Sequence, residues 1–173
     1  VITSRLKSIL YRILLNLKLI DRIHPMIQRT NSKKMVYDSQ EEIYQSYRSK
    51  TIFSKINNKN LKYYIESIIE HKDGKVSIKL SKDWENAIYR NGSLYDSMIW
   101  RKLGEINTPT YIITPENDEF GHFNYGGYLK KKNPGTFKNI KINNATHLFP
   151  LEYPEKTAEL ITSNINSIKV IQD

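Results

Sequence analysis

Apolar residues near the N-terminus recur at intervals of three and four residues. This spacing predicts an amphipathic helix from Ser4 to Arg22, and Pro25 soon afterwards predicts its end. The apolar positions of this helix are Leu6, Ile9, Leu10, Ile13, Leu14, Leu17 and Ile20.

The next segments predict helices separated by polar loops and one short extended stretch. Ser39-Gln40-Glu41-Glu42 has the form of a capping box, so a second helix is expected to run to about Arg48. A third helix, whose apolar face begins at Leu61, is expected to stop before the turn pair Asp73-Gly74. The segment Lys75–Leu80 alternates between polar and apolar residues, which predicts an extended piece.

The pattern changes after Thr108-Pro109. A helix over Asp83–Arg90 is followed by two runs typical of strands, Thr110–Thr114 and Phe137–Ile142, and a final amphipathic helix begins at Pro154. Repeated strand, loop and helix units predict an α/β fold with an open parallel sheet. Active groups in such sheets lie on loops beyond the carboxyl ends of the strands.

Composition excludes several classes of protein. The chain has 173 residues, 39% of them hydrophobic, which is typical of a folded globular protein. Cysteine is absent, which excludes disulfides, thiolate metal sites and a cysteine nucleophile. The most apolar segment, Leu6–Ile20, is interrupted by Lys7, Arg12 and Lys18, and no small-residue cleavage pattern follows it. We therefore expect no transmembrane helix and no signal peptide, and predict a cytoplasmic protein.

The net charge of +9 is concentrated in the first third of the chain. Residues 1–60 contain 12 basic and 4 acidic side chains, whereas residues 61–173 contain 15 and 14. Because lysine outnumbers arginine 20 to 7, compositional drift towards lysine explains much of this excess. The alternative is a surface in residues 1–60 that binds anions or contacts a membrane.

Polar clusters follow directly after both predicted strands, and they contain an acid and a histidine. Asp118 and Glu119 follow the first strand, and His147 follows the second. Loops at the carboxyl ends of adjacent strands meet at one edge of a sheet, where a carboxylate can orient an imidazole and stabilise its protonated form. On the residues alone, His147 could equally be a loop histidine bonded to local backbone, with the acids solvating a turn.

The sequence around these clusters resembles the last two strand-loop units of α/β-hydrolase fold enzymes. Matching segments are Pro109-Thr110-Tyr111-Ile112-Ile113, followed by Glu116-Asn117-Asp118, and then Ala145-Thr146-His147 with Glu152, Pro154 and Glu155 in register. The resemblance implies that His147 is the general base and Asp118 its orienting acid, with Glu119 as the alternative acid. Glu152 is expected to be structural. Pro115 stands where the family usually has glycine.

Four segments in the middle of the chain resemble the cap of such hydrolases, namely Arg48–Phe53, Leu61–Ile65, Asp73–Leu80 and Glu85–Tyr89. The resemblance implies a mainly helical cap or lid in residues 1–100, followed by the C-terminal part of the hydrolase core in residues 101–173. Aromatic side chains of the cap, Tyr64, Trp84 and Tyr89, are candidates to line the substrate pocket, although aromatic residues at helical spacing are more often core residues.

No nucleophile is found in the sequence. The elbow G-x-S-x-G is absent, and Ser93, the nearest serine beside a glycine, is interpreted as a loop residue. We therefore expect a fragment of a longer hydrolase, inactive by itself, with its serine upstream. The intact parent is expected to cleave a small, largely apolar substrate, esterase-like, without cofactor or metal.

Two alternatives come from other classes of protein. One is a degenerate, non-catalytic member of the fold that acts as a binding protein. The other is a basic helical module whose residues 1–60 bind an anionic membrane surface or nucleic acid, although for a hydrolase no nucleic-acid partner is expected. The oligomeric state is left open by the sequence.

Overall fold

The computed structural model of the chain describes residues 5–17, 19–91, 102–117 and 133–169. The chain divides into two compact units, one formed by Val1–Ile43 with Ile65–Lys102 and the other by Tyr44–Tyr64 with Leu103–Asp173. The predicted boundary between a cap and a core near residue 100 stays a prediction. None of the helices in the described residues is long and apolar enough to cross a membrane.

The first unit opens with three consecutive helices. They are α1 (Arg5–Asn16), α2 (Ile20–Ile23) and α3 (Pro25–Asn31). The single helix predicted for Ser4–Arg22 is therefore divided, and Pro25, which was expected only to end a helix, is the first residue of the next one. Proline is tolerated there because the N–H group of the first helical residue has no acceptor within the helix, so its absence costs no hydrogen bond.

Helix α6 (Lys82–Asn91) packs against α2 and α3 through polar contacts. Lys33 forms an ion pair of 3.0 Å with Glu85, and Asn86 donates to Asn31 at 2.7 Å. Arg90 binds Asp21 with two hydrogen bonds of 2.7 and 3.0 Å. Ile20 on α2 and Ile27 on α3 are buried.

The first unit also contains a small antiparallel sheet in the order β1–β3–β2. Its strands are β1 (Val36–Tyr37), β2 (Ile69–Lys72) and β3 (Lys75–Ile78). The predicted turn Asp73-Gly74 joins β2 and β3, and both residues have positive φ angles, 51° and 72°. The extended segment predicted for Lys75–Leu80 is confirmed as far as Ile78.

Two helices connect the units along the chain, α4 (Gln40–Arg48) and α5 (Asn58–Ile68). The predicted capping box begins α4, since Ser39 accepts the Glu42 N–H at 3.1 Å. The Glu42 carboxylate accepts the N–H of Asp38, one residue before the position that a capping box normally uses.

The second unit is built on two parallel strands, β4 (Thr110–Pro115) and β5 (Phe137–Ile142), paired in register from one end to the other. The described N–H groups that bond towards β5 include those of Thr110 and Glu116. Because successive N–H groups alternate between the two sides of a strand, the N–H that Pro115 lacks belongs to the side facing away from β5. Pro115 therefore costs this pair no hydrogen bond.

Two helices complete the second unit, α7 (Phe149–Glu152) and α8 (Pro154–Lys169), with Pro154 in the first helical turn as predicted. The two strands confirmed at the predicted positions, together with the surrounding helices, give the chain an α/β fold, as expected.

Candidate active site

The loop that carries His147 begins where β5 ends. Its turn requires Asn144 at a φ of 59°, a left-handed conformation that asparagine tolerates better than most residues. Ala145 and Thr146 are then buried, whereas His147 is exposed two residues before α7. The sequence therefore directs an imidazole outwards from a loop whose preceding residues are fixed in the interior.

Buried Glu152 fixes this loop from the other side. Its carboxylate accepts the backbone N–H of Thr146 at 2.8 Å and also the Thr146 hydroxyl. The backbone carbonyl of Thr146 in turn accepts the N–H of Phe149 at 3.0 Å, and that contact begins α7. Glu152 is structural, as expected: it lies at the end of α7 and acts on the residue before His147.

The loop after β4 is hydrogen-bonded to the histidine loop. The Asn117 N–H donates to the carbonyl of Ala145 at 3.0 Å, and the Glu116 carboxylate accepts the N–H of Asn144 at 2.7 Å. These contacts bring the acid-bearing loop and the histidine loop together at the carboxyl ends of two adjacent strands. Asp118 and Glu119 directly follow Asn117 in sequence, and both lie outside the described residues, as does Ser93.

Side chains from residues 44–64 hold the same loops from a third side. Lys55 donates to the carbonyl of Asn144 at 3.1 Å, and Asn60 on α5 donates to the carbonyl of Leu151 at 3.0 Å. Sequence reasoning missed both residues, because an exposed lysine and a half-buried asparagine carry no signal of a distant partner. The structure places them around the histidine loop all the same.

Arg48 organises the connection from which Lys55 and Asn60 reach the loops. Its Nη1 donates to the carbonyls of Phe53 and Ile56, at 3.1 and 2.8 Å. These two bonds tie the end of α4 to the turn that precedes α5. The guanidinium thus stabilises the turn by binding two of its backbone carbonyls.

The three aromatic residues predicted to line a pocket occupy different environments. Tyr64 in the second unit packs with Tyr47 and Phe53, with ring centroids 6.1 and 5.9 Å away. Tyr89 in the first unit stacks on His24 at 5.9 Å, and burial raises the pKa of its hydroxyl. Trp84 is 69% exposed. Their role in a pocket stays a prediction.

Chemically, the site consists of an exposed imidazole on a loop that hydrogen bonds hold on three sides. Such a group can accept and return a proton if a nucleophile and an acid flank it. In the part of the chain that the structure describes, no three histidine, aspartate or glutamate side chains form a cluster that could hold a metal ion.

The fold is similar to those of several solved hydrolases. The peroxisomal α/β-hydrolase Lpx1 of Saccharomyces cerevisiae superposes with a TM-score of 0.65 at 16% identity, over 80% of this chain and 36% of that one. E-2-(acetamidomethylene)succinate hydrolase gives a TM-score of 0.63 at 14% identity, over 87% of this chain and 53% of that one.

A thioesterase domain from the curacin biosynthetic pathway gives a TM-score of 0.59 at 10% identity, over 87% of this chain and 50% of that one. The chain thus spans between about a third and a half of the length of these structures. No family model and no curated protein matches the sequence. The structural likeness shows that the chain has the α/β-hydrolase fold over most of its length.

Proposed function

We propose that the chain is the histidine- and acid-bearing part of an esterase-like hydrolase with the α/β-hydrolase fold. In this proposal His147 is the general base, Asp118 orients it, and a serine in a preceding segment of the polypeptide is the nucleophile. The substrate is a small, largely apolar ester. The chain without that segment is then inactive, because it has neither a nucleophile nor an oxyanion hole.

The observation that carries the proposal is the hydrogen bond between the Asn117 N–H and the Ala145 carbonyl. It joins the two loops one residue before Asp118 and two residues before His147. A carboxylate that orients an imidazole must lie within hydrogen-bond reach of its Nδ1 atom, so the two loops must be fixed to one another. The Glu152–Thr146 contacts support the same role, since they limit the movement of the residue before His147.

In the proposed reaction, His147 removes the proton from the serine hydroxyl as that oxygen attacks the ester carbonyl. The imidazolium that forms is stabilised by Asp118 and then gives its proton to the leaving alkoxide. Water repeats the sequence on the acyl-enzyme and releases the acid. The atoms balance as ester plus water giving acid plus alcohol, with no cofactor.

The test uses the polypeptide encoded by the full reading frame, with short-chain p-nitrophenyl esters as substrates. We expect His147→Ala to lower kcat/KM at least about 100-fold, the usual contribution of a positioned base. His71→Ala is the matched control, because His71 is an exposed histidine on β2. Equal turnover by wild type and His147→Ala overturns the assignment.

The same assay distinguishes the two candidate acids. Asp118→Asn is expected to lower kcat/KM strongly, whereas Glu119→Gln leaves it close to that of wild type. The reverse order makes Glu119 the acid. If both variants keep full activity, the Ser-His-Asp mechanism is contradicted, whereas the fold assignment is unaffected.

A further inference from the structure

Helix α1 exposes an apolar face. Ile9 and Ile13 are 50% and 49% exposed, and Leu10 and Leu17 are exposed further still. The four residues lie on one side of the helix, because about 100° separates successive residues and the Leu17 N–H still bonds to the Ile13 carbonyl. We call Ile9, Leu10, Ile13 and Leu17 the N-terminal apolar face.

The opposite side of α1 attaches the helix to its unit. The Tyr11 hydroxyl donates to the backbone carbonyls of Tyr89 and Arg90, both at 3.0 Å, at the end of α6. Tyr11 and Ile13 are two residues apart and so lie roughly 200° apart around the helix. Attachment through Tyr11 therefore turns the N-terminal apolar face away from α6.

Exposed apolar residues continue beyond α1. Leu19, Ile23 and Met26, in and beside α2 and α3, are each more than a third exposed. These seven large apolar side chains are thus exposed on and beside three consecutive helices, and contiguous exposed apolar patches mark interaction surfaces in folded proteins.

The surroundings of this face are strongly basic. Residues 1–35 contain eight lysines and arginines and a single acid, Asp21, although Lys33 and Lys34 pair with Glu85 and Glu42 from outside this segment. Arg90 donates to both carboxylate oxygens of Asp21, so the negative charge of Asp21 is already compensated and does not offset the basic residues of this segment. Exposed Arg12, Arg22 and Arg29 remain on the same three helices. An apolar face among cations is complementary to a surface that offers both hydrocarbon and negative charge.

We propose that the N-terminal apolar face docks α1 in the plane of an anionic lipid bilayer. The apolar side chains enter the boundary between headgroups and acyl chains, and the basic side chains contact the lipid phosphates. Duplex DNA satisfies the charge but gives apolar side chains no place to bury. A second copy of the chain buries apolar surface but brings the same positive charge. Of these three, only an anionic bilayer satisfies both features, and the preceding segment that the hydrolase proposal requires is a fourth candidate occupant, which the test distinguishes.

The test is sedimentation with lipid vesicles of the polypeptide encoded by the full reading frame, so that the preceding segment is present. Vesicle binding by residues 1–173 that is lost in the longer polypeptide makes the preceding segment the occupant of the face and overturns the proposal. We expect the chain to bind phosphatidylcholine vesicles that contain about 30% phosphatidylserine at least tenfold more tightly than vesicles of phosphatidylcholine alone, and less tightly as salt is raised. Equal binding to both vesicles, or binding to neither, overturns the proposal.

A charge-neutral pair of variants locates the surface. Ile9→Gln with Ile13→Gln is expected to weaken binding to the anionic vesicles at least tenfold. The matched control is Ile161→Gln with Ile165→Gln on α8, where the two isoleucines have the same spacing and are 47% and 49% exposed. Helicity measured by circular dichroism verifies that both double variants fold. Equal loss of binding in the two double variants overturns the assignment to α1.

Two other outcomes also contradict the proposal. Size-exclusion chromatography that shows a dimer, abolished by the Ile9 and Ile13 changes, with no vesicle binding, makes a second copy the occupant of the face. Binding to duplex DNA that exceeds binding to anionic vesicles and is unaffected by those changes makes the basic residues a nucleic-acid surface. The hydrolase proposal is unaffected by either result.

Discussion

The carboxylate of Glu152 holds Thr146 by both its backbone N–H and its hydroxyl, and so fixes the residue that precedes His147. All the groups involved are buried. Since the two residues are close in sequence, this contact shapes the loop from within, beside the bonds that it receives from Glu116, Asn117 and Lys55. The first prediction tests this contact.

Glu152→Ala is expected to lower the free energy of unfolding by about 2 kcal/mol, because it leaves a buried N–H and a buried hydroxyl without their acceptor. Urea denaturation followed by circular dichroism measures the change. The control is Glu159→Ala, which removes an exposed carboxylate paired with Lys156 and is expected to cost less than about 0.5 kcal/mol. Equal losses in the two variants contradict the role of Glu152.

Gly74 is expected to tolerate alanine poorly. With a φ of 72° it lies in the left-handed region, so Gly74→Ala is expected to lower the free energy of unfolding by about 1 kcal/mol although nothing obstructs the added carbon. Gly104 has equal space but no such φ, and Gly104→Ala is expected to be neutral or slightly stabilising. Thermal melts of the two variants provide the comparison, and a Gly74→Ala melt no lower than that of Gly104→Ala argues against the turn geometry.

The pair of Asp21 and Arg90 gives the first unit a pH dependence. The hydrogen bond from Arg90 lowers the pKa of Asp21 below its usual value. A carboxyl group whose pKa is lower in the folded state stabilises that state above its unfolded pKa, and this contribution is lost as the pH falls through the folded pKa.

Asp21→Asn is therefore expected to be less stable than wild type at pH 7, by no more than about 1 kcal/mol because the pair is partly exposed. The difference is expected to shrink as the pH falls below about 4. Urea midpoints at several pH values test this, and a difference that grows towards acid pH refutes the assigned direction.

Asn60 is expected to stabilise the second unit through its bond to the Leu151 carbonyl. Asn60→Ala is expected to cost about 1 kcal/mol, the usual value of one hydrogen bond. Asn58→Ala, an exposed change in the same helical turn, is expected to cost less than about 0.5 kcal/mol. Equal denaturation midpoints for Asn60→Ala and Asn58→Ala indicate that the contact with Leu151 contributes nothing to stability.

The elements that local spacing specifies were predicted from the sequence. The capping box at Ser39, the turn at Asp73-Gly74 and the strand that ends at Pro115 all depend on residues within a few positions of one another. The break between α1 and α2 was missed because the apolar spacing continues through it. Strand β2 was missed because Ile69 continues the helical face of α5.

The candidate site was also predicted only in part. The position of the histidine loop after β5 was predicted, and the structural role of Glu152 was confirmed. Lys55 and Asn60 were not predicted, because their partners Asn144 and Leu151 are far away in sequence. A side chain that bonds to a distant backbone carbonyl requires no particular residue at the other end, so no sequence pattern records the contact.

Pro115 has a consequence for how this sheet can grow. In the described part of the chain β4 pairs with β5 alone, and Pro115 lies on the side of β4 that faces away from β5. Any strand that pairs on that side receives no hydrogen bond from Pro115, which has no N–H to give. The proline therefore removes one donor from any further ladder at the end of β4, while the Glu116 and Asn117 N–H groups beyond it bond towards β5 and the histidine loop.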